Sequence, residues 1–139
     1  MADVGQQRDP WLTELGEAEC WALLGSGSVG RVGFRDDDGP VVLPVNYVVD
    51  GETVLFATAS YGRMARYLRD EPVAFEVDAA EPETHSGWSV LVRGNASFVD
   101  YEDLPEDAAG RPAPWPRGAR TLFVRVTPTS VTGRRLGHA

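Results

Sequence analysis

The sequence predicts a mainly β protein, a closed antiparallel barrel of six strands with two or more short helices. Three observations carry that expectation. From residue 29 onward the pattern changes from helical to strand-like runs, beginning with VGRVGF, PVVLPVNYVVD and TVLFATA. The strand-like runs follow one another through tight turn signals, without the helices of roughly 10–15 residues that would separate strands in a βαβ sheet. The runs are also rich in valine, and closing such a sheet into a barrel removes the edges that would otherwise pair with other chains.

The elements follow in order. Residues 1–10, MADVGQQRDP, read as a flexible N-terminal arm, and 11–139 as one domain. LTELGEAECWALLG (12–25) carries the first helical pattern, with Leu15, Cys20, Leu23 and Leu24 near one face. Glu17 and Glu19 fall in the early turn, where the helix dipole favours anions. Gly16 is an acceptable N-cap, and Gly25 stands where a C-terminal glycine belongs. Cys20 then reads as a small buried apolar group. GSGSVGR (25–31) is a connector, since it follows a helix and precedes a strand, the reverse of a phosphate-binding loop.

VGRVGF (29–34) is the first strand of this reading, and the solvated turn DDDG leads into PVVLPVNYVVD (40–50). Asp50-Gly51 is a strong hairpin signal, followed by the strand TVLFATA (53–59). A short helix is expected over 62–70, then VAFEVDA (73–79), the loop AEPETHSG and a long strand over 88–101. Gly94 within that strand suggests a bulge or sharp bend. Residues 102–118 read as a loop, RTLFVRVTP (120–128) as the last core strand, and SVTGRRL as a short edge.

Composition narrows the function classes. A net charge of −8 argues against a nucleic-acid partner, because phosphate neutralisation needs a basic face. No run approaches the roughly 18 apolar residues of a membrane span, and the polar N-terminus carries no secretion signal, so a cytoplasmic location is expected. One cysteine and two histidines leave no set for a disulfide or a metal site. His85 falls in a polar loop and reads as exposed.

Three stretches could carry chemistry. Arg63 opens a predicted helix, where a cation is disfavoured by roughly 0.3–1 kcal/mol unless an anion is bound beside it. A phosphate there would meet Arg63, the Gly62 backbone and the hydroxyls of Thr58 and Ser60, with Arg66 a helical neighbour. The alternative is that Arg63 lies exposed or pairs with one of the 21 acidic residues. In LPVNYVVDG (43–51), Pro44 removes a ladder donor and belongs at an edge or a split. Val45, Asn46 and Tyr47 beside it offer an apolar wall, an amide and an aromatic face, or simply a packed strand. In GWSVLVRG (87–94), Ser89 is a polar contact among apolar neighbours, and a buried strand explains most of the rest. No side chain is nominated as a catalytic acid or base.

Together these segments resemble the pyridoxamine 5′-phosphate oxidase-like superfamily of FMN-binding split β-barrels, in particular small actinobacterial members related to nitroimidazole-resistance proteins. The resemblance runs through ECWALLGSGSVGRVGF, LPVNYVVDG, LFATASYGRMARYLRDEPVAFEVD and GWSVLVRGNA in that order. It implies a homodimer with two FMN sites at the subunit interface. Pro44, Val45, Asn46 and Tyr47 would then line the ring, and Thr58, Ala59, Ser60, Gly62 and Arg63 would hold the phosphate. Ser89 and Val90 would approach from a neighbouring strand or subunit. The implied activity is a flavin-dependent oxidation or reduction of a small molecule; alternatives on the same barrel are a deazaflavin F420 or haem binder, or a non-catalytic flavin-binding or structural dimer. Nitroimidazole-resistance proteins often place a histidine beside the flavin where this chain has Ala57. The basic substrate residues of the pyridoxamine phosphate oxidising enzyme have no counterpart here, so vitamin B6 oxidation is not expected.

Overall fold

The computed structural model describes residues 11–107, 111–112 and 121–137. The expected arm over 1–10, His138 and residues 108–110 and 113–118 of the loop expected over 102–118 lie outside these residues. The elements are β1 (Leu12–Leu15), α1 (Glu17–Ser26), β2 (Val29–Asp36), β3 (Gly39–Asp50), β4 (Thr53–Ala59), α2 (Arg63–Tyr67), β5 (Pro72–Glu81), β6 (Ser86–Val99) and β7 (Thr121–Leu136). A 3-10 turn spans Tyr101–Asp103.

The strands hydrogen-bond in the order β1-β7-β4-β3-β2-β5-β6, and β6 returns to pair with β7. Six antiparallel strands therefore close a ring, as expected, and β1 is a seventh strand laid on β7. The inward residues fill the barrel: Phe56, Phe75, Val32, Val54, Val90, Val92, Val124 and Val126 are fully buried, with Cys20 and Leu24 of α1 plugging one side. Among the described residues no helix is long and apolar enough to cross a membrane.

Four expectations need correction. The helix expected over 12–25 begins only at Glu17, because Leu12–Leu15 pairs with Gly133–Leu136 of β7. Gly16 is the N-cap, but the C-cap is Gly27, two residues past Gly25. The helix expected over 62–70 is the five-residue α2; Asp70 takes a positive φ of 56° and Pro72 follows, a pairing that stops an α-helix. The strand read as ending at Pro128 runs on to Leu136, so SVTGRRL is its second half and no separate edge.

Pro128 is tolerated because the β6–β7 register slips there, with Arg93 opposite Ser130 and Gly94 opposite Pro128. A missing amide costs no ladder bond at such a bulge. The β3–β4 hairpin has its two-residue loop as expected, shifted by one from Asp50-Gly51: Asp50 still pairs with Thr53, and Gly51, at φ 60°, is the first of the two loop residues. Arg125 of β7 braces that hairpin, its guanidinium 2.8 Å from Asp50 Oδ2 and 2.6 Å from Thr53 Oγ1.

Candidate functional site

The barrel opens between β3 and β4. Their ladder runs from Asp50 opposite Thr53 only as far as Tyr47 opposite Phe56. Beyond it, β3 stays on β2 from Asn46 back to Gly39, while β4 stays on β7 through Ala57, Thr58 and Ala59. The amide of Tyr47 donates to Ser28 O across β2. Because successive amides point to opposite edges of a strand, the position of the Pro44 nitrogen is on the other edge, facing the opening. Proline suits it, having no donor to leave over.

The alternation along β3 divides the residues expected at the ring. Val45 and Tyr47 point inward, and Pro44 and Asn46 point outward. Tyr47 is only 3% exposed. Its hydroxyl donates to Leu24 O, and its ring meets Phe75 edge-on at 4.9 Å and 70°. Burial pushes the phenol up to about 12. Its aromatic face is thus committed to the core, and what β3 offers a ligand is the Pro44 and Asn46 side with the strand's own backbone.

At the far end of β4 the chain turns through Ser60 and Tyr61, with the Gly62 amide donating to Ala59 O at 3.2 Å. A cavity of about 510 Å³ lies there, lined by Tyr61, Gly62, Arg63, Arg66, Tyr67 and the acidic turn Asp36–Asp38. Tyr61 is 76% exposed. A Cβ on Gly62 would meet only ordinary contacts, the nearest being Ala59 O at 3.5 Å. Neither crowding nor backbone geometry demands a glycine here.

The acidic turn departs from expectation: it is docked, not simply solvated. Asp36 Oδ2 sits 3.2 Å from Arg63 Nε, with the Asp36 side chain 8% exposed and that of Arg63 55%. Tyr67 donates its hydroxyl to Asp37 at 2.7 Å, which pushes the phenol up, and Arg66 Nη2 lies 3.9 Å from the same carboxylate. Arg63 therefore has an acidic partner and still borders the cavity. The five-residue α2 aligns too few peptides to explain anion binding by its dipole, so any anion here is held by the guanidinium. The pairing could have been suspected from the Asp run and the Arg63/Arg66 spacing, but only folding brings the two together.

Ser89 and Val90 are elsewhere. Val90 is fully buried in the core, and Ser89 lines a separate cavity of about 480 Å³ with Glu76, Leu91, Arg134 and Glu14. Among the described residues, the cavity that Ser89 lines is separate from that of Arg63. Sequence reasoning also missed a carboxylate pair on the outer face of β5. Glu76 and Asp78, two apart on one strand, share the Arg31 guanidinium at 3.4 and 3.2 Å.

Burial, then the neighbouring Asp78, push Glu76 up to about 7 against the pull of Arg31. The folded protein thus keeps a proton that the unfolded chain releases. Stability contributed by the protonated form is full below about pH 4.5 and is lost as pH rises through about 7. Because a third of the side chain remains exposed, solvent screening reduces the expected loss to about 1 kcal/mol. Denaturant melts from pH 4.5 to 8 should show this decline, and Glu76→Gln should flatten it; an equal slope in both proteins would exclude Glu76 as its source.

A closed antiparallel ring whose ladder parts between two neighbouring strands, with a cavity lined by Arg63, Arg66 and the Asp36–Asp38 turn beyond the parting, defines a split-barrel protein with a candidate binding site. The family model described as pyridoxamine 5′-phosphate oxidase matches residues 16–135. The chain belongs to that family. It is 32% identical over 130 residues to an uncharacterized protein of Mycobacterium tuberculosis, Rv0080, covering 90% of this chain and 86% of the relative. Among solved structures it is similar to the FAD binding protein from Mycobacterium smegmatis, with 35% identity, 90% and 98% of the two chains covered and a TM-score of 0.69. It is likewise similar to a conserved protein of unknown function from Corynebacterium diphtheriae, with 32% identity, 92% and 99% coverage and a TM-score of 0.74.

Proposed function

We propose that this chain binds a flavin nucleotide, FMN in its simplest form, and acts as a flavin-dependent oxidoreductase on a small molecule. The observation that carries the reading is the half-exposed Arg63 at a roomy cavity, directly beyond the strand that borders the parted ladder. Arg63 takes the phosphate, the hydroxyls of Thr58 and Ser60 donate to it, and Ala59 and Gly62, which bond each other through their backbone, leave the approach free of a bulky side chain. The edge of β3 from Pro44 through Val45 and Asn46 to Tyr47 carries the ring. Family membership and the 35% identity to the FAD binding protein from Mycobacterium smegmatis support the same ligand class.

Bound flavin would supply the two-electron chemistry, and the protein would position it and exclude water. Ser89 comes from a second copy of the chain, which accounts for its separation from Arg63 within one, and Val90, fully buried in the core, supports that strand from within. A second copy is also favoured by the outer face of β2 and β3, where Val29 and Pro44 are exposed and Val42 is 66% exposed.

The test is the visible spectrum of purified protein with and without added FMN, FAD, F420 or haem, followed by anaerobic reduction with NADH or NADPH. A yellow protein that retains FMN and is reduced by a nicotinamide supports the reading. Retained flavin without reduction by a donor or turnover of any substrate points to a carrier, and a Soret band or F420 retention moves the chain to another ligand.

A further inference from the structure

We propose that Asp36 is the positioning residue of the phosphate site, holding Arg63 by its inner nitrogen so that the two terminal amino groups are presented to the cavity. The inference rests on the assignment of Arg63 to the flavin phosphate. Asp36 is built to be a fixed anchor. One carboxylate oxygen faces Arg63 Nε at 3.2 Å, the other accepts the Asp38 amide at 2.8 Å, and the side chain is 8% exposed.

The turn that carries it is in turn fastened to α2 through Tyr67 and Arg66 on Asp37. Arginine recognises oxyanions through its planar fork of N–H groups. A carboxylate that competed with phosphate would be expected to occupy the terminal pair of that fork, whereas this one engages Nε. Fixing the long side chain in advance removes rotamer freedom that binding would otherwise have to freeze.

The opposite role, a carboxylate that merely occupies Arg63, gives an opposite sign, which makes the inference testable. Wild-type protein, Asp36→Ala, Asp36→Asn and Asp37→Ala are titrated with FMN and with riboflavin, which has the same ring and no phosphate, and their melting temperatures are recorded. Asp36→Ala is expected to weaken FMN roughly 3- to 10-fold, the scale of one immobilised side chain, and to leave riboflavin unchanged. Asp36→Asn, which keeps an acceptor oxygen, recovers part of the loss and serves alone should the alanine variant not fold. Asp37→Ala, which loosens the same turn without touching Arg63, keeps the wild-type ratio of FMN to riboflavin affinity. In an Arg63→Ala background, Asp36→Ala has no further effect.

Tighter or unchanged FMN binding in the Asp36 variants overturns the proposal, as does an equal loss for both ligands. Wild-type protein that binds riboflavin as well as FMN overturns the phosphate assignment itself, and the role of Asp36 with it.

Discussion

Arg63→Ala is expected to weaken FMN binding by roughly 1.5–3 kcal/mol, the scale of a charge-assisted hydrogen bond. That is about 10- to 150-fold in the dissociation constant, read by titrating flavin fluorescence. The guanidinium borders the cavity with more than half its surface open to water, so part of its strength in the free protein is already spent on solvent and on Asp36. The effect should fall with added salt, since an open site is screened. Removing Arg63 also strips Asp36 of its cation, but that carboxylate keeps the Asp38 amide, and the melting temperature should drop only slightly. An unchanged dissociation constant would mean that the phosphate is held elsewhere.

Gly94→Ala should cost the fold about 3 kcal/mol, the upper part of the range for overpacking. A methyl group at Gly94 would lie 2.2 Å from Thr127 O and 2.9 Å from the Pro128 Cα. These are backbone atoms of the paired strand, so no side chain can swing aside to make room. The position is where β6 and β7 slip register, and the long β7 continues past it to hold β1. Denaturant unfolding should show a lower midpoint with little change in slope. Near-wild-type stability would mean that the two strands can separate locally at the bulge.

Much of the fold was legible in the chain, and the misses have physical causes. The runs 29–34 and 73–79 are legible as strands because one face of each must leave water, and 53–59 because its continuous apolar stretch Val54–Ala57 is buried on both faces. Gly94 read correctly as a bulge because only a close backbone approach favours glycine inside a strand pattern. Leu12–Leu15 was absorbed into a helix because four residues are too few for two periods to be told apart, and its partner Gly133–Leu136 lies at the other end of the chain. Pro128 was read as a stop because its missing amide is a local fact, while the bulge that excuses it depends on β6.

The candidate site was legible in its types and less so in its geometry. Arg63, Gly62 and Pro44 stood out because each is unusual for its local structure, and the structure puts Arg63 and Gly62 at one cavity with Pro44 at the parted ladder. Tyr47 looked like a ring-binding face because sequence gives the residue and not its direction. The strand's alternation, once fixed by its register with β2, turns that ring into the core. Asp36 escaped notice for the converse reason, since an acidic turn is usually solvent-facing until another element packs on it.

What the sequence determined by itself was the strand-rich class, the strongest turn signals, the acidic charge balance and the residue types able to meet an anion. These follow from backbone preferences and side-chain chemistry that act over a few neighbouring residues. Tertiary structure alone decided where the ring parts, which side chains of β3 face inward, and that Arg63 is met by Asp36. Those outcomes depend on barrel closure and strand register, which bring together groups distant along the chain and are set by the whole core at once.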